Sequence, residues 1–227
     1  MSRRVVPLTL DRLDELPKRC RKCVFWELDP VASTRAEEMG DTAFEKEAWV
    51  SSTLLEWGSC GLIAHVDQVP AGFALFAPPA YIPRSLAFPT SPVSGDALLL
   101  AQVHVEPRFR GGGIGRLLVQ SVVKEAVRRG FRAVEAFGDA RAPDDVLKES
   151  GCVVPADFLS LLGFKTVRPH HAWPRLRLET RSTVSWRAEV EVALERILNA
   201  AVPVGARPGG ARPSGVQRGS AAHEEVT

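Results

Sequence analysis

Residues 103–119 read VHVEPRFRGGGIGRLLV, and the order of residue types in this stretch decides the fold. It begins inside a nearly continuous apolar run, residues 97–105, the pattern of a strand buried on both faces. After Glu106 and Pro107 comes the cluster Arg110-Gly111-Gly112-Gly113-Ile114-Gly115-Arg116. Ile114, Leu117, Leu118, Val122, Ala126 and Val127 then recur at helical spacing until Gly130 stops the pattern. Consecutive residues without side chains let backbone N–H groups converge at the start of a helix, whose dipole favours negative charge. Such a turn can cradle phosphate. No Gly-Lys-Ser/Thr follows it, and it lacks the G-x-G-x-x-G spacing with a downstream acidic residue, so neither of those nucleotide motifs applies. The plain alternative is a turn that only packs strand against helix.

Working outward, residues 133–137 give the next strand, completing a strand, glycine turn, helix, strand unit. Upstream, CGLIAHV and AGFALFA flank a short polar turn at residues 67–70 and predict a hairpin. Residues 41–57 place Phe44, Trp49, Leu54, Leu55 and Trp57 among charged residues before Gly58, an amphipathic helix. Residues 5–8 read as a strand and 9–16 as a short helix stopped by Pro17. The proline-rich residues 77–96 read as a long ordered loop, of the length that usually carries function or flexibility. Downstream, residues 155–162 form a short helix before Gly163, FKTV and LRLE are closing strands, and residues 185–198 are a terminal helix. From residue 199 onward Gly, Pro, Ala and Ser dominate, a composition that cannot bury enough surface to order itself.

Lys plus Arg is 29 against 27 for Asp plus Glu in the 227-residue chain, and a formal charge of +2 excludes nucleic-acid binding by bulk electrostatics. The arginines of the tail, Arg207, Arg212 and Arg218, lack interleaved aromatic residues and are followed by Glu224 and Glu225, which argues against a nucleic-acid arm. The N-terminus lacks a signal-peptide pattern, and no run approaches the roughly 18 apolar residues of a membrane span, so a soluble cytoplasmic protein is expected. Cys20 and Cys23 have C-x-x-C spacing, but Cys60, Cys152 and the histidines offer no second short-spaced pair. No metal is therefore expected, while a redox pair favoured by Arg21 and Lys22 and ordinary core thiols both stay open.

With its flanks, the 103–119 stretch resembles the acetyl-CoA-binding motif of the GCN5-related N-acetyltransferases, Q/R-x-x-G-x-G/A after a strand. Arg110 fills the first position, and Gly113 and Gly115 the two small ones. Residues 157–164, DFLSLLGF, resemble the family's helix ending in Gly-Phe. The resemblance implies an α/β (α+β) fold with a mixed, splayed central sheet over residues 1–182, followed by an added helix at 183–198 and a disordered tail at 199–227. It implies acetyl-CoA as acyl donor, its pyrophosphate on the backbone of Gly111, Gly112, Gly113, Ile114 and Gly115. The pantetheine would then lie along Val103, His104 and Val105, one of whose N–H groups polarises the thioester, with Arg110 and Arg116 adding charge at the phosphates. The reaction implied is direct attack of a primary amine, of a small molecule or a protein, on the thioester. A catalytically silent acyl-CoA-binding module is the rival.

The chain departs from its relatives where the chemistry would be. A tyrosine four residues before the terminal glycine is replaced by Leu159, and a glutamate early in the strand by Leu99. His104, Glu106, Glu56 and Ser160 are candidate replacements without any being assigned as catalytic, and Tyr81, the chain's only tyrosine, stands in the proline-rich loop. The segment CRKCVFWE, residues 20–27, resembles a cysteine- and tryptophan-bearing stretch of some family members. By that likeness Phe25, Trp26 and Glu27 would form a wall of the acceptor site, Glu27 suiting a cationic amine. The apolar face of residues 185–198 could pair two copies of the chain.

Overall fold

The computed structural model describes residues 2–141 and 151–180, all of them within the first of the chain's two compact units. The expected helix at 185–198 and tail from 199 lie outside the described residues.

Among the described residues eight strands form one mixed sheet: β1 (Arg3–Pro7), β2 (Gly61–Val66), β3 (Val69–Ala77), β4 (Ala97–Val105), β5 (Ala133–Asp139), β6 (Val154–Pro155), β7 (Lys165–Arg168) and β8 (Arg175–Glu179). Their spatial order is β1-β2-β3-β4-β5-β8-β7, with β6 pairing β5 off this path. Only β4–β5 and β5–β6 are parallel. Among the described residues five α-helices accompany it: α1 (Lys18–Arg21), α2 (Pro30–Met39), α3 (Thr42–Glu56), α4 (Ile114–Arg128) and α5 (Ala156–Leu161).

The two faces have separate cores. On one, Ile114, Leu118, Val122 and Ala126 of α4 and Leu159 of α5 pack on Ala74, Leu98, Leu100 and Val134. On the other, Leu13, Trp26 and Val50 cover Ile63, Phe73, Leu99 and Phe137. Strand alternation sends neighbouring β4 residues to opposite cores, which is why the apolar run is continuous.

Local chemistry accounts for most boundaries. Asp67 and Gln68, both at positive φ, make a two-residue hairpin turn, so Val69 and Pro70, expected in the turn, belong to β3. Residues 9–16 form a 3₁₀ helix at Leu10–Glu15 rather than an α-helix. Helix α2 was not read from the sequence, although its start is well signalled: Asp29 accepts hydrogen bonds from the N–H groups of Val31 and Ala32, and Pro30 opens the first turn. Its weak apolar stripe explains the miss, since Ser33 and Ala36 alone are buried. Among the described residues no helix is long and apolar enough to cross a membrane.

Candidate active site

The site begins with a fault in the sheet. β4 pairs in parallel with β5 only at Ala97↔Ala133, Leu98↔Val134 and Leu99↔Glu135, after which the strands part. On its other edge β4 carries a bulge: Leu100 faces Phe76 and Gln102 faces Leu75, leaving Ala101 without a partner on β3. An extra residue bends a strand and increases its twist, which turns the end of β4 away from β5. The bulge also resets the alternation, so Val103 and Val105 face the α4 core. His104 faces the opposite side, its ring 5.6 Å from that of Phe73.

The glycine turn stands at the end of the parted strand. Gly111 and Gly113 have φ of 75° and 78°, a conformation that residues with a Cβ rarely adopt, and Gly113 caps α4. Gly111, Gly112 and Gly113 are exposed, whereas Ile114 is anchored in the core and can offer a ligand only its backbone. Gly115 is small for a different reason, because a Cβ there would lie 2.9 Å from Cζ of Phe158 on α5. Arg110 folds back, its Nε donating to the Val105 carbonyl at 3.2 Å, and so ties the turn to the end of β4. Arg116 is exposed on the first turn of α4. A further cation comes from β1: a Cβ on Gly113 would lie 3.8 Å from a terminal nitrogen of Arg3. Nothing in the local sequence signals this arginine, which reaches the turn only through the sheet order.

On the face away from α4, His104 Nε2 lies 3.6 Å from Glu106 Oε1. Burial, and then the nearby Arg19 charge, hold the His104 pKa below the usual 6.5, with Glu106 pulling the other way. The imidazole is thus neutral at neutral pH and able to accept a proton. Glu106 also lines a small cleft with Glu15, Pro17, Pro70, Gly72 and Phe73. Glu15 in turn reaches Nε2 of the buried His65 at 2.5 Å. Glu106 therefore links the His104 imidazole to a cleft that also holds the Glu15 carboxylate.

The other candidates lie elsewhere. Glu56 is exposed at the end of α3, next to Trp57, whose ring is covered by Arg129 just beyond the C-terminus of α4. That is the end of α4 opposite the glycine turn. Ser160 is exposed and donates to the Ala156 carbonyl within α5. Leu159 and Leu99 are fully buried in the two cores. Tyr81 packs against Trp57, with ring centroids 6.4 Å apart. Trp26 is a buried anchor, stacked on Phe88 at 5.3 Å and donating its indole N–H to the Cys152 carbonyl at 2.9 Å. Glu27, expected to face a cationic amine, is 2 % exposed and is consumed by a buried ion pair with Lys46. Lone buried carboxylates are costly, and Lys46 satisfies this one. Among the described residues no group of three or more His, Cys, Asp or Glu side chains is gathered for a metal ion.

A parted β4–β5 pair with a glycine turn at the head of the connecting helix defines an acyl-CoA-dependent acyltransferase fold. The acetyltransferase (GNAT) family model matches residues 18–145, and the chain belongs to that family. Solved structures share the fold at low identity. PaiA N-acetyltransferase from Thermoplasma acidophilum, in complex with coenzyme A, is 12% identical with a TM-score of 0.52, over 79% of this chain and 99% of that one. An N-acetyltransferase from Staphylococcus aureus Mu50 is 16% identical with a TM-score of 0.50, over 79% and 99%. YncA from Salmonella typhimurium, with its cofactor acetyl-CoA, is 14% identical with a TM-score of 0.50, over 79% and 95%. No match was found among the curated proteins. The protein is an acetyltransferase.

Proposed function

We propose that this enzyme moves the acetyl group of acetyl-CoA to a primary amine of a small molecule or a protein, with His104 as the base that frees the amine of its proton. The donor is acetyl-CoA, as throughout the family. Its pyrophosphate would sit on the N–H groups of Gly111 to Gly115, assisted by Arg3, Arg110 and Arg116. The pantetheine would run along the main chain of Val103, His104 and Val105, where β5 has left the edge of β4. One N–H of that edge would stabilise the oxyanion as the amine nitrogen attacks the carbonyl carbon. The C–S bond then breaks, and the proton that the attacking nitrogen sheds as it becomes an amide passes to the departing thiolate.

The observation that carries the choice of acceptor is the His104–Glu106 pair on the face opposite α4, next to the cleft that Glu106 shares with Glu15. A cationic ammonium is attracted to two carboxylates, and a neutral imidazole can take the proton that must leave before attack. Thiol release from acetyl-CoA, measured against peptide, polyamine and aminoglycoside amines alongside calorimetric titration of acetyl-CoA, tests this. Turnover with at least one amine is expected. Tight binding of acetyl-CoA with no turnover on any amine would leave the silent binding module as the better reading.

A further inference from the structure

Four cysteines are present, and the described residues, which include all four, contain no disulfide. The C-x-x-C spacing suggests Cys20 and Cys23 as partners, yet the sulfur that approaches Cys23 belongs to Cys152. The two Sγ atoms lie 3.3 Å apart across 129 residues of chain.

We propose that Cys23 and Cys152 are a hydroperoxide-responsive thiol pair that closes to a disulfide, tying the turn after α1 to the segment that leads into β6. The backbone on both sides is held ready for this. Lys46 Nζ donates to the Cys23 carbonyl at 3.1 Å, and the Trp26 indole donates to the Cys152 carbonyl at 2.9 Å. Lys46 and Trp26 are themselves buried, so neither cysteine has to be carried to the other by a loop movement. Each sulfur is already in contact with the other, and a bond between them has a length of about 2.05 Å.

The assignment of roles follows from environment. Cys23 is half-buried, and its thiol is brought down to about 7, chiefly by the hydrogen bond with Cys152, then by the Phe25 N–H and the Lys46 charge. Arg21, one of the two cations expected to activate it, is engaged instead with Asp14 and the Leu16 carbonyl. Burial raises Cys20, and it pushes Cys60 up to about 12. Thiolates are the reactive form, so Cys23 is the nucleophile. Its sulfur attacks one hydroperoxide oxygen, the O–O bond breaks, and the other oxygen leaves as hydroxide or alkoxide and takes a proton, giving a sulfenic acid. The Cys152 thiol then attacks that sulfur, and the S–O bond breaks. The hydroxyl leaves as water with the Cys152 proton. Two thiols are oxidised as one hydroperoxide is reduced, and a dithiol reverses the change.

The test treats the reduced full-length protein with an equimolar amount of hydrogen peroxide, followed by non-reducing peptide mass spectrometry. A Cys23–Cys152 cross-linked peptide is expected, two hydrogens lighter than the separate peptides and released by dithiothreitol. Closing so long a loop should also raise Tm by about 5 °C or more over the reduced form. Cys20→Ala should keep the cross-link, whereas Cys152→Ala should leave a Cys23 sulfenic acid that a dimedone probe traps, formed more slowly because the Cys152 hydrogen bond that activates Cys23 is gone. Should Cys152→Ala fail to fold, Cys23→Ser serves in its place and should abolish the cross-link. A Cys20–Cys23 disulfide, or a folded wild-type protein with both Cys23 and Cys152 still reduced, would overturn the proposal.

Discussion

His104 and Glu106 stand two residues apart on the same side of the chain where β4 ends, with Nε2 and Oε1 separated by 3.6 Å. Strand alternation would ordinarily group them, but their exposure to the face away from α4 depends on the bulge at Ala101. The imidazole thereby lies beside the Glu106 carboxylate, on the side of the sheet opposite the α4 core.

His104→Gln should lower kcat/KM by about a hundredfold or more, the usual contribution of a positioned base. Acetyl-CoA affinity should hold, because the main chain at 104 is kept. The wild-type acid limb should fall below pH 6.5, since burial holds the folded pKa beneath that value, and the limb should vanish in the variant. Glu106→Gln should move the limb lower still, because Glu106 favours the imidazolium. A pH–rate profile of the three proteins decides this, and an unchanged limb in His104→Gln would remove His104 as base.

The same shift affects stability. Above 6.5 the side chain is neutral in both folded and unfolded chains, so it adds no pH dependence there. As pH falls from 6.5 through the lower folded value, the unfolded chain takes a proton that the folded one resists, and stability is lost. Urea midpoints at pH 7 and pH 5.5 should therefore differ less in His104→Gln than in wild type.

Gly113 and Gly115 should fail differently. Gly113→Ala meets a φ of 78° and should cost about 1–2 kcal/mol, or weaken acetyl-CoA binding by about 5- to 30-fold if the turn reorients to relieve the strain. Gly115→Ala drives a Cβ to 2.9 Å from Phe158 and should destabilise by about 1–3 kcal/mol. Adding Phe158→Leu should recover most of the second loss and none of the first, as read by Tm and calorimetry.

Lys46→Met should destabilise by about 3–5 kcal/mol, because it leaves the Glu27 carboxylate buried and unpaired. The double variant with Glu27→Leu should be far more stable than Lys46→Met alone. Denaturant unfolding of the two single variants and the double variant measures that non-additivity.

Arg129 lies 3.8 Å over the Trp57 ring and donates to the carbonyls of Trp57 and Ser59, joining the end of α4 to the chain between α3 and β2. Arg129→Lys should cost about 1–2 kcal/mol, since an ammonium cannot stack and fork in that way. Arg128 has a side chain 68% exposed, and Arg128→Lys should leave Tm unchanged.

The sequence by itself determined the parts whose causes lie within a few residues of each other. The apolar run of β4, the glycine turn, the stripe of α4 and the stops at Gly130 and Gly163 are written locally, in side-chain periodicity and in positions that need positive φ. These carry the resemblance to the acetyl-CoA motif, which implied a splayed sheet without saying where its strands part. The α2 start at Asp29-Pro30 was equally local but was masked by a stripe too weak to register. Tertiary structure alone decided the rest. It brought Arg3 to Gly113, gave Glu27 to Lys46, parted β4 from β5 after Leu99, and set Cys23 against Cys152 rather than Cys20. Each of these joins residues from separate elements, so sheet order and burial choose the partner, and spacing along the chain carries no record of that choice.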